Sequence, residues 1–362
     1  MAWEILLAVV VAFVALWMLI WLRIPKPDSN ALGDPSANRE GSRSVASDAN
    51  EEVLSLVAGL GRRGRSGPRR QRVSDIRKAI DEFAGAGRQH PDELGVRVNE
   101  VDVDGVPAEW VLSPDSDPNR RLLYLHGGGF FVGSPLSHRP LTADFAKRMG
   151  LSVLVIDYRL MPEHRRRDGI EDCQKAYRWI LENGPEAQGA PGQVFIAGDS
   201  AGGNLTLMMT AWIRDQQLRQ ADAAVALSPV TDSTFVSPSF VHNVDTDPML
   251  GPGLGALAKI PKSIMYVATS LALRMSPRDS LISPLLGELS NLPPTLVQAS
   301  ESEMLFDDAR RYVYEARRRG SPVELQTWPE MVHVWQIFYH LLPEANEALE
   351  RISEFLGDGR SR

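Results

Sequence analysis

From Leu122 to Trp328, short apolar runs alternate with helix-length segments. The runs are Leu122–Leu125, Val153–Ile156, Val194–Ala197, Ala223–Leu227 and Thr295–Gln298, and a last strand is predicted at Val323–Trp328. Runs this short and this apolar read as strands buried on both faces, and helices between them predict a mostly parallel sheet covered on each side. Two alternating segments come first, Val96–Val101 and Ala108–Leu112, and their junction at Asp104-Gly105 predicts an antiparallel hairpin. One connection does not fit. The 67 residues 228–294 exceed any ordinary crossover. Tyr266 to Met275 has helical character and Pro252, Pro261 and Pro277 punctuate the remainder. This insertion is expected to form a lid over the active face, packed with helical segments around Val53 to Phe83.

The run Val194–Ala197 leads into Gly198-Asp199-Ser200-Ala201-Gly202, and a helical pattern follows from Gly203. A serine on a sharp strand-to-helix turn has its hydroxyl thrust out of the fold, where a base can take its proton. The glycines two residues either side are needed because such a turn is strained and its backbones pack closely.

A serine hydroxyl needs a base within hydrogen-bond reach, itself oriented by an acid. In folds of this layout the chain order is serine, acid, histidine. Only His242, His333 and His340 follow Ser200. His333 lies on a polar loop just after the last strand; His242 falls in the insertion and His340 at the start of the final helix, so His333 is the expected base. The acid should follow the strand Thr295–Ala299. Of Glu301, Glu303, Asp307 and Asp308, Glu303 sits on the loop before the next helix; the other three read as carboxylates of a surface helix. The oxyanion of a tetrahedral intermediate needs backbone N–H donors. His126-Gly127-Gly128-Gly129 follows the strand Leu122–Leu125, and three glycines let the backbone approach a ligand without side chains in the way. The run lacks the spacing and lysine of a phosphate loop. His126 reads as a structural hydrogen-bonding residue.

A net charge of −7 and a pI near 5.6 argue against nucleic acid as a partner. The single cysteine, Cys173, excludes an intrachain disulfide and reads as a small buried thiol. No Cys/His cluster suggests a metal, and no cofactor is expected. At the N-terminus, Ile5 to Leu22 is an unbroken apolar run of eighteen residues with Trp3, Trp17 and Trp21 near its ends. Its length and the basic residues Arg23 and Lys26 after it predict an uncleaved single-pass membrane anchor with the body on the cytoplasmic side. Residues 1–24 are thus expected as anchor and 25–72 as a flexible basic linker, whose arginines from Arg62 to Arg72 could meet anionic lipid headgroups. Residues 73–362 are expected as the catalytic domain, with a cap from about 45–90 and 230–285.

These residues together resemble the hormone-sensitive-lipase-like family of α/β-hydrolase esterases. His126 to Gly129 is similar to its H-G-G-G loop and Gly198 to Gly203 to its G-D-S-A-G-G elbow. Asp157-Tyr158-Arg159-Leu160 with Pro162-Glu163-His164, Asp247-Pro248-Met249-Leu250 and Ser283-Pro284-Leu285 resemble further family stretches. The resemblance implies an α/β-hydrolase fold with a mostly parallel eight-stranded sheet flanked by helices and a helical cap. It implies hydrolysis of small carboxylic esters of short to medium acyl length by Ser200, His333 and Glu303, with oxyanion amides from Gly128, Gly129 and Ala201. His126, Gly127 and Asp199 would support the motif. Amide or carbamate hydrolysis is the alternative chemistry, and a non-catalytic ligand-binding homologue a third. There are two departures. Glu303 stands where the family's D-x-L-x-D has its first aspartate, and Arg165-Arg166-Arg167 stands where the family tends to have proline and phenylalanine.

Overall fold

The computed structural model describes residues 90–357, together with 49–51, 53, 73–75, 77, 78 and 81. Strands β1 (Arg97–Val103) and β2 (Val106–Leu112) form the expected hairpin, with Val103 opposite Val106 across Asp104-Gly105. Both turn residues have positive φ, 51° and 85°, which suits an aspartate-glycine pair. Then follow β3 (Asp117–Leu125), α1 (Pro135–Met149), β4 (Leu151–Ile156), α2 (Arg166–Ile180), β5 (Gln193–Asp199), α3 (Ala201–Asp215) and β6 (Ala223–Leu227). The long connection carries α4 (Ser239–His242), α5 (Gly251–Ala258) and α6 (Lys262–Leu273). The chain closes with β7 (Thr295–Ser300), α7 (Phe306–Arg318), β8 (Val323–Trp328) and α8 (Pro343–Leu356).

The eight strands make one sheet in the order β1-β2-β4-β3-β5-β6-β7-β8. The β1–β2 and β2–β4 pairs are antiparallel and every other pair is parallel. Side chains alternate between faces along each strand. Leu123, Leu125, Leu154 and Ile196 pack under α2 and α3 with Tyr177, Leu205 and Met208. Leu122, Tyr124, Val153 and Phe195 pack on the opposite face under α1 and α8 with Phe145, Leu349 and Ile352. The central strands β4 to β7 are buried on both sides, which explains their apolar runs, while the edge strand β1 is largely exposed or half-buried.

From β3 the chain winds outward to β4 and then returns to β5 on the other side of β3. The winding therefore reverses between β3 and β5, and open α/β sheets bind ligands outside the carboxyl ends of strands at such a point. The loops after β3, β5, β7 and β8 all leave the sheet at this edge. The insertion is clamped there too. Thr231 N and Asp232 N donate to Asp308 Oδ2 at 2.8 and 2.9 Å, and Arg311 Nη1 meets Asp232 Oδ2 at 2.9 Å. Asn204 Nδ2 on α3 donates to the carbonyls of Val230 and Ile282 at 2.9 and 3.0 Å. N-terminal residues reach the same edge. Val53 packs with Trp328, Met331 and Trp335, and Arg77 donates to the carbonyls of Phe131 and Met161.

The membrane expectation is corrected. Among the described residues no helix is long and apolar enough to cross a membrane. The longest, α1, α2 and α3, have fifteen residues each. At 1.5 Å per residue that is about 22 Å, short of a hydrocarbon core, and α2 alone carries Arg166, Arg167, Asp168, Glu171, Asp172, Lys175 and Arg178. The expected membrane helix and the single-pass, cytoplasm-facing location are therefore withdrawn; the apolar run Ile5–Leu22 on which they rested lies outside the described residues.

Two glycines set the spacing between β3, β5 and α3. A Cβ on Gly202 would lie 1.8 Å from the Leu125 carbonyl oxygen, and one on Gly198 would lie 2.4 Å from the same atom. Backbone, not a flexible side chain, fills the space, so no rotamer change can relieve the clash. Gly202→Ala is expected to destabilise the fold by about 3 kcal/mol or more, measured as a lower urea midpoint. A midpoint equal to the parent's would show that these backbones are not in contact.

Candidate active site

Ser200 occupies the junction between β5 and α3 with φ 51° and ψ −110°. A positive φ at a non-glycine residue is strained and persists only where the surroundings fix it. Here Ser200 N donates to the Leu227 carbonyl at 2.7 Å, and the Ser200 carbonyl accepts from Asn204 N at 3.0 Å. The strain turns the side chain out of the sheet edge toward the loop after β8.

That loop brings His333, 133 positions away in sequence, to the hydroxyl: Nε2 is 2.9 Å from Ser200 Oγ. The other ring nitrogen, Nδ1, is 2.6 Å from Glu303 Oε2. A carboxylate only accepts, so Nδ1 carries the proton and Nε2 presents its lone pair to the serine. His333 is 2% exposed and Glu303 fully buried. Burial opposes a charge on the imidazole, but the hydrogen bond and negative charge of Glu303 outweigh it and raise the His333 pKa. Burial likewise lifts the Glu303 carboxyl above its ordinary value, with the imidazole bond working against the shift.

Glu303 is fixed from several sides. Ser300 N donates to its Oε1 at 3.2 Å, and Asn243 Nδ2 donates to its carbonyl at 3.0 Å. Asp247 braces the next residue: its Oδ2 accepts from Met304 N at 2.9 Å, while Oδ1 accepts from Met249 N and Leu250 N at 3.1 and 2.9 Å. Asp247 is 2% exposed, so the Asp-Pro-Met-Leu stretch ties the insertion to the acid loop. The sequence alone assigns Asp247 no role; its one local signal is an aspartate followed directly by a proline.

On the other side of Ser200, the glycine loop is hung from Asp199. Gly127 N and Tyr124 Oη donate to Asp199 Oδ1 at 3.0 and 2.7 Å, and His138 Nε2 lies 3.3 Å from Oδ2. Burial alone would raise the Asp199 carboxyl, yet the charge and hydrogen bond of His138 with that of Tyr124 hold it below its usual range. The same pair raises His138 against burial. His138 had no assigned role from sequence, because it lies on α1 and only the fold brings it to Asp199. A Cβ on Gly127 would fall 2.0 Å from Asp199 Oδ2, and one on Gly128, whose φ is 116°, would fall 2.1 Å from the Val132 carbonyl. Among the described residues the amides of Gly128 and Gly129 donate to no other group. Ala201 N stands at the first position of α3, where a helix offers its own N–H no acceptor. His126 is fully buried, stacked on Tyr158 at 4.2 Å, with Nδ1 turned to the Gly127 carbonyl at 2.9 Å. Burial, then His138, lowers its pKa to about 3, so it stays neutral.

The other candidates go elsewhere. Glu301 accepts from Thr327, Asp307 accepts from Ser239 N and pairs with Arg310, and Asp308 holds the base of the insertion. Asp307 and Asp308 are buried at 7% and 2% exposure, not surface carboxylates as expected. They face the insertion, which the helix pattern alone did not reveal. His242 ends α4, and His340 lies edge-on to Tyr339 in the turn before α8. Cys173 is buried, and burial pushes its thiol well up. Among the described residues no three His, Cys, Asp or Glu side chains are grouped to hold a metal ion.

Residues 122–337 match the family of the α/β-hydrolase fold. An acetyl-hydrolase of Streptomyces hygroscopicus is 37% identical over 73% of this chain and 84% of its own length. The esterase LipU of Mycobacterium tuberculosis is 34% identical over 69% of this chain and 82% of its own. A crystal structure of an esterase from the bacterial hormone-sensitive lipase family superposes with a TM-score of 0.74 at 33% identity, covering 86% of this chain and 98% of that one. By this family match, sequence identity and structural likeness, the chain belongs to the hormone-sensitive-lipase-like branch of the α/β-hydrolase carboxylesterases.

Proposed function

We propose that this serine ester hydrolase cleaves small carboxylic esters of short to medium acyl length through a covalent acyl-Ser200 intermediate. The continuous hydrogen-bond chain from Ser200 Oγ through His333 to Glu303 carries the reading. Ser200 Oγ attacks the ester carbonyl as His333 Nε2 takes its proton. The carbonyl oxygen becomes an oxyanion held by the amides of Gly128, Gly129 and Ala201, each worth roughly 3 kcal/mol in the transition state. His333 then returns the proton to the leaving alkoxide, and the alcohol departs. Water, deprotonated by the same nitrogen, attacks the acyl-enzyme; the carboxylic acid leaves and Ser200 regains its proton. Glu303 stabilises the imidazolium in both halves. The relatives named acetyl-hydrolase and esterase support the ester class and a short acyl group. The insertion 230–285 with the flank 45–90 is proposed as the cap over the acyl group, supported by the insertion and by Val53 and Arg77 of the flank, which reach the sheet edge that bears Ser200.

Ser200→Ala is expected to lower p-nitrophenyl acetate turnover by roughly 10⁴-fold or more and to abolish labelling by a fluorophosphonate probe. Full turnover in that variant would exclude an acyl-serine. Matched p-nitroanilides run alongside separate ester from amide preference, with esters expected to be the better substrates.

The pH profile follows from the buried pair. His333 must be neutral to act as base, and Glu303 holds its imidazolium, so kcat/KM should rise with pH through an ionisation above the ordinary histidine value of about 6.5. Glu303→Gln removes the negative charge: the ionisation should move down and kcat should fall by about 10²–10⁴. An unchanged profile in that variant would mean Glu303 does not act on His333.

A further inference from the structure

The departure at Arg165-Arg166-Arg167 places an unneutralised cation behind the glycine loop. Arg165 pairs with Asp168 at 2.8 Å, and the nearby Arg159 pairs with Asp172 at 2.7 Å. Arg166, the first residue of α2, is 2% exposed and meets no carboxylate among the described residues. Its guanidinium carbon lies over the Phe130 ring, 3.7 Å from its centre, a cation–π contact. Nη2 donates to Asn204 Oδ1 at 3.0 Å, whereas Nε is buried without a partner. Burial lowers its pKa to about 10, so it stays charged at neutral pH. An isolated buried cation is costly, and hydrophobic packing alone would be served better by an apolar side chain.

Its contacts are informative. Phe130 directly follows Gly129, has φ 69°, and its carbonyl accepts from Met161 N at 2.9 Å. Asn204 lies one helical turn after Ser200 and ties α3 to Val230 and Ile282 in the insertion. Arg166 thus touches both halves of the proposed oxyanion site from behind: the loop bearing Gly128 and Gly129, and the helix whose first amide is Ala201. We propose that Arg166 is a positioning residue for ester hydrolysis, a buried cation that holds the Phe130 ring and the Asn204 amide so that the glycine-loop and helix N–H groups converge on the oxyanion. This rests on the acyl-Ser200 reading above. Its positive charge also favours negative charge developing nearby, an effect that strengthens where water is excluded. Arg166 touches neither ester nor proton; it acts through the donors.

The test compares full-length wild type, Arg166→Met and Arg166→Lys on p-nitrophenyl acetate, with kcat and KM resolved. Methionine keeps the apolar stem and removes plane and charge; lysine keeps the charge. A second readout is affinity for phenylboronic acid, whose tetrahedral adduct on a serine mimics the oxyanion. Arg166→Met should lower kcat by about 10–100-fold with KM changed less than about threefold, as expected for misplaced donors. Boronate affinity should fall in parallel, and lysine should recover at least about tenfold of the lost kcat. A methionine variant with wild-type kcat, or one that changes KM alone, overturns the proposal, as does a lysine variant no better than methionine. If the methionine variant gives no cooperative thermal melt, Phe130→Leu decides. Lowered kcat and boronate affinity at constant KM support the proposal; wild-type values refute it. Wild type and Ser200→Ala in the same assay keep the outcomes separate. A serine variant that retains turnover overturns the acyl-serine reading, whereas a dead serine variant beside a fully active Arg166→Met overturns only this inference.

Discussion

Backbone contact between Gly202 and the Leu125 carbonyl is the constraint from which the site is built. Leu125 ends β3 and Gly202 sits in the first turn of α3, so their approach fixes where two loops leave neighbouring strands. If a side chain intervened at Gly202 or Gly198, the serine turn would move away from the glycine loop. The proposed oxyanion donors on the two loops, Gly128 and Gly129 on one side and Ala201 on the other, would then be separated. Hydrogen-bond donors can stabilise an oxyanion only if they are in place before it forms. The rigid part of the molecule, a sheet buried on both faces, therefore carries the geometry that chemistry needs.

Two buried histidine–carboxylate pairs flank Ser200, and they differ in what each imidazole faces. In the His138–Asp199 pair, the carboxylate is spent on Gly127 N and Tyr124 Oη, and the ring points to no reacting atom. That pair is scaffolding, and its electrostatics reinforce it: each partner favours the charged form of the other. In the His333–Glu303 pair, the far nitrogen lies against the Ser200 hydroxyl. The same chemistry becomes a proton acceptor because one nitrogen is left open. His126, a third buried ring at the same edge, is kept neutral by burial and by the neighbouring His138. Geometry, more than residue type, separates the three.

Much of this was legible in the sequence because it is encoded locally. The apolar runs located the buried parallel strands, and Asp104-Gly105 marked the hairpin turn. Gly198 and Gly202 announced a close approach, and chain order singled out His333. Burial patterns of helices were harder. Asp307 and Asp308 read as solvent-facing because nothing near them in sequence reveals that the insertion folds back onto α7. His138 and Asp247 were opaque for the same reason: their partners, Asp199 and Met304, are 61 and 57 residues away. The apolar N-terminal run misled on location, because the length and flanking charge of one stretch were read without any tertiary test.

Glu303 in place of an aspartate shows how such a substitution is absorbed. The longer side chain must start farther from the imidazole to end at the same place. Contacts in the turn after β7 fix where it starts. Ser300 N binds Glu303 Oε1 and Ser300 Oγ binds the Met331 carbonyl at 2.6 Å, linking the acid turn directly to the loop that carries His333. Asp247 fixes the next amide from the insertion side. With the backbone pinned on both flanks, the extra methylene is taken up by the side chain, and Oε2 still reaches Nδ1. The insertion therefore does more than cover the sheet edge. By holding the backbone at Glu303 and Met304 through Asn243 and Asp247, it links its own fold to the position of the carboxylate that meets His333 Nδ1, so a change in the insertion can reach the His333–Ser200 contact without altering either residue.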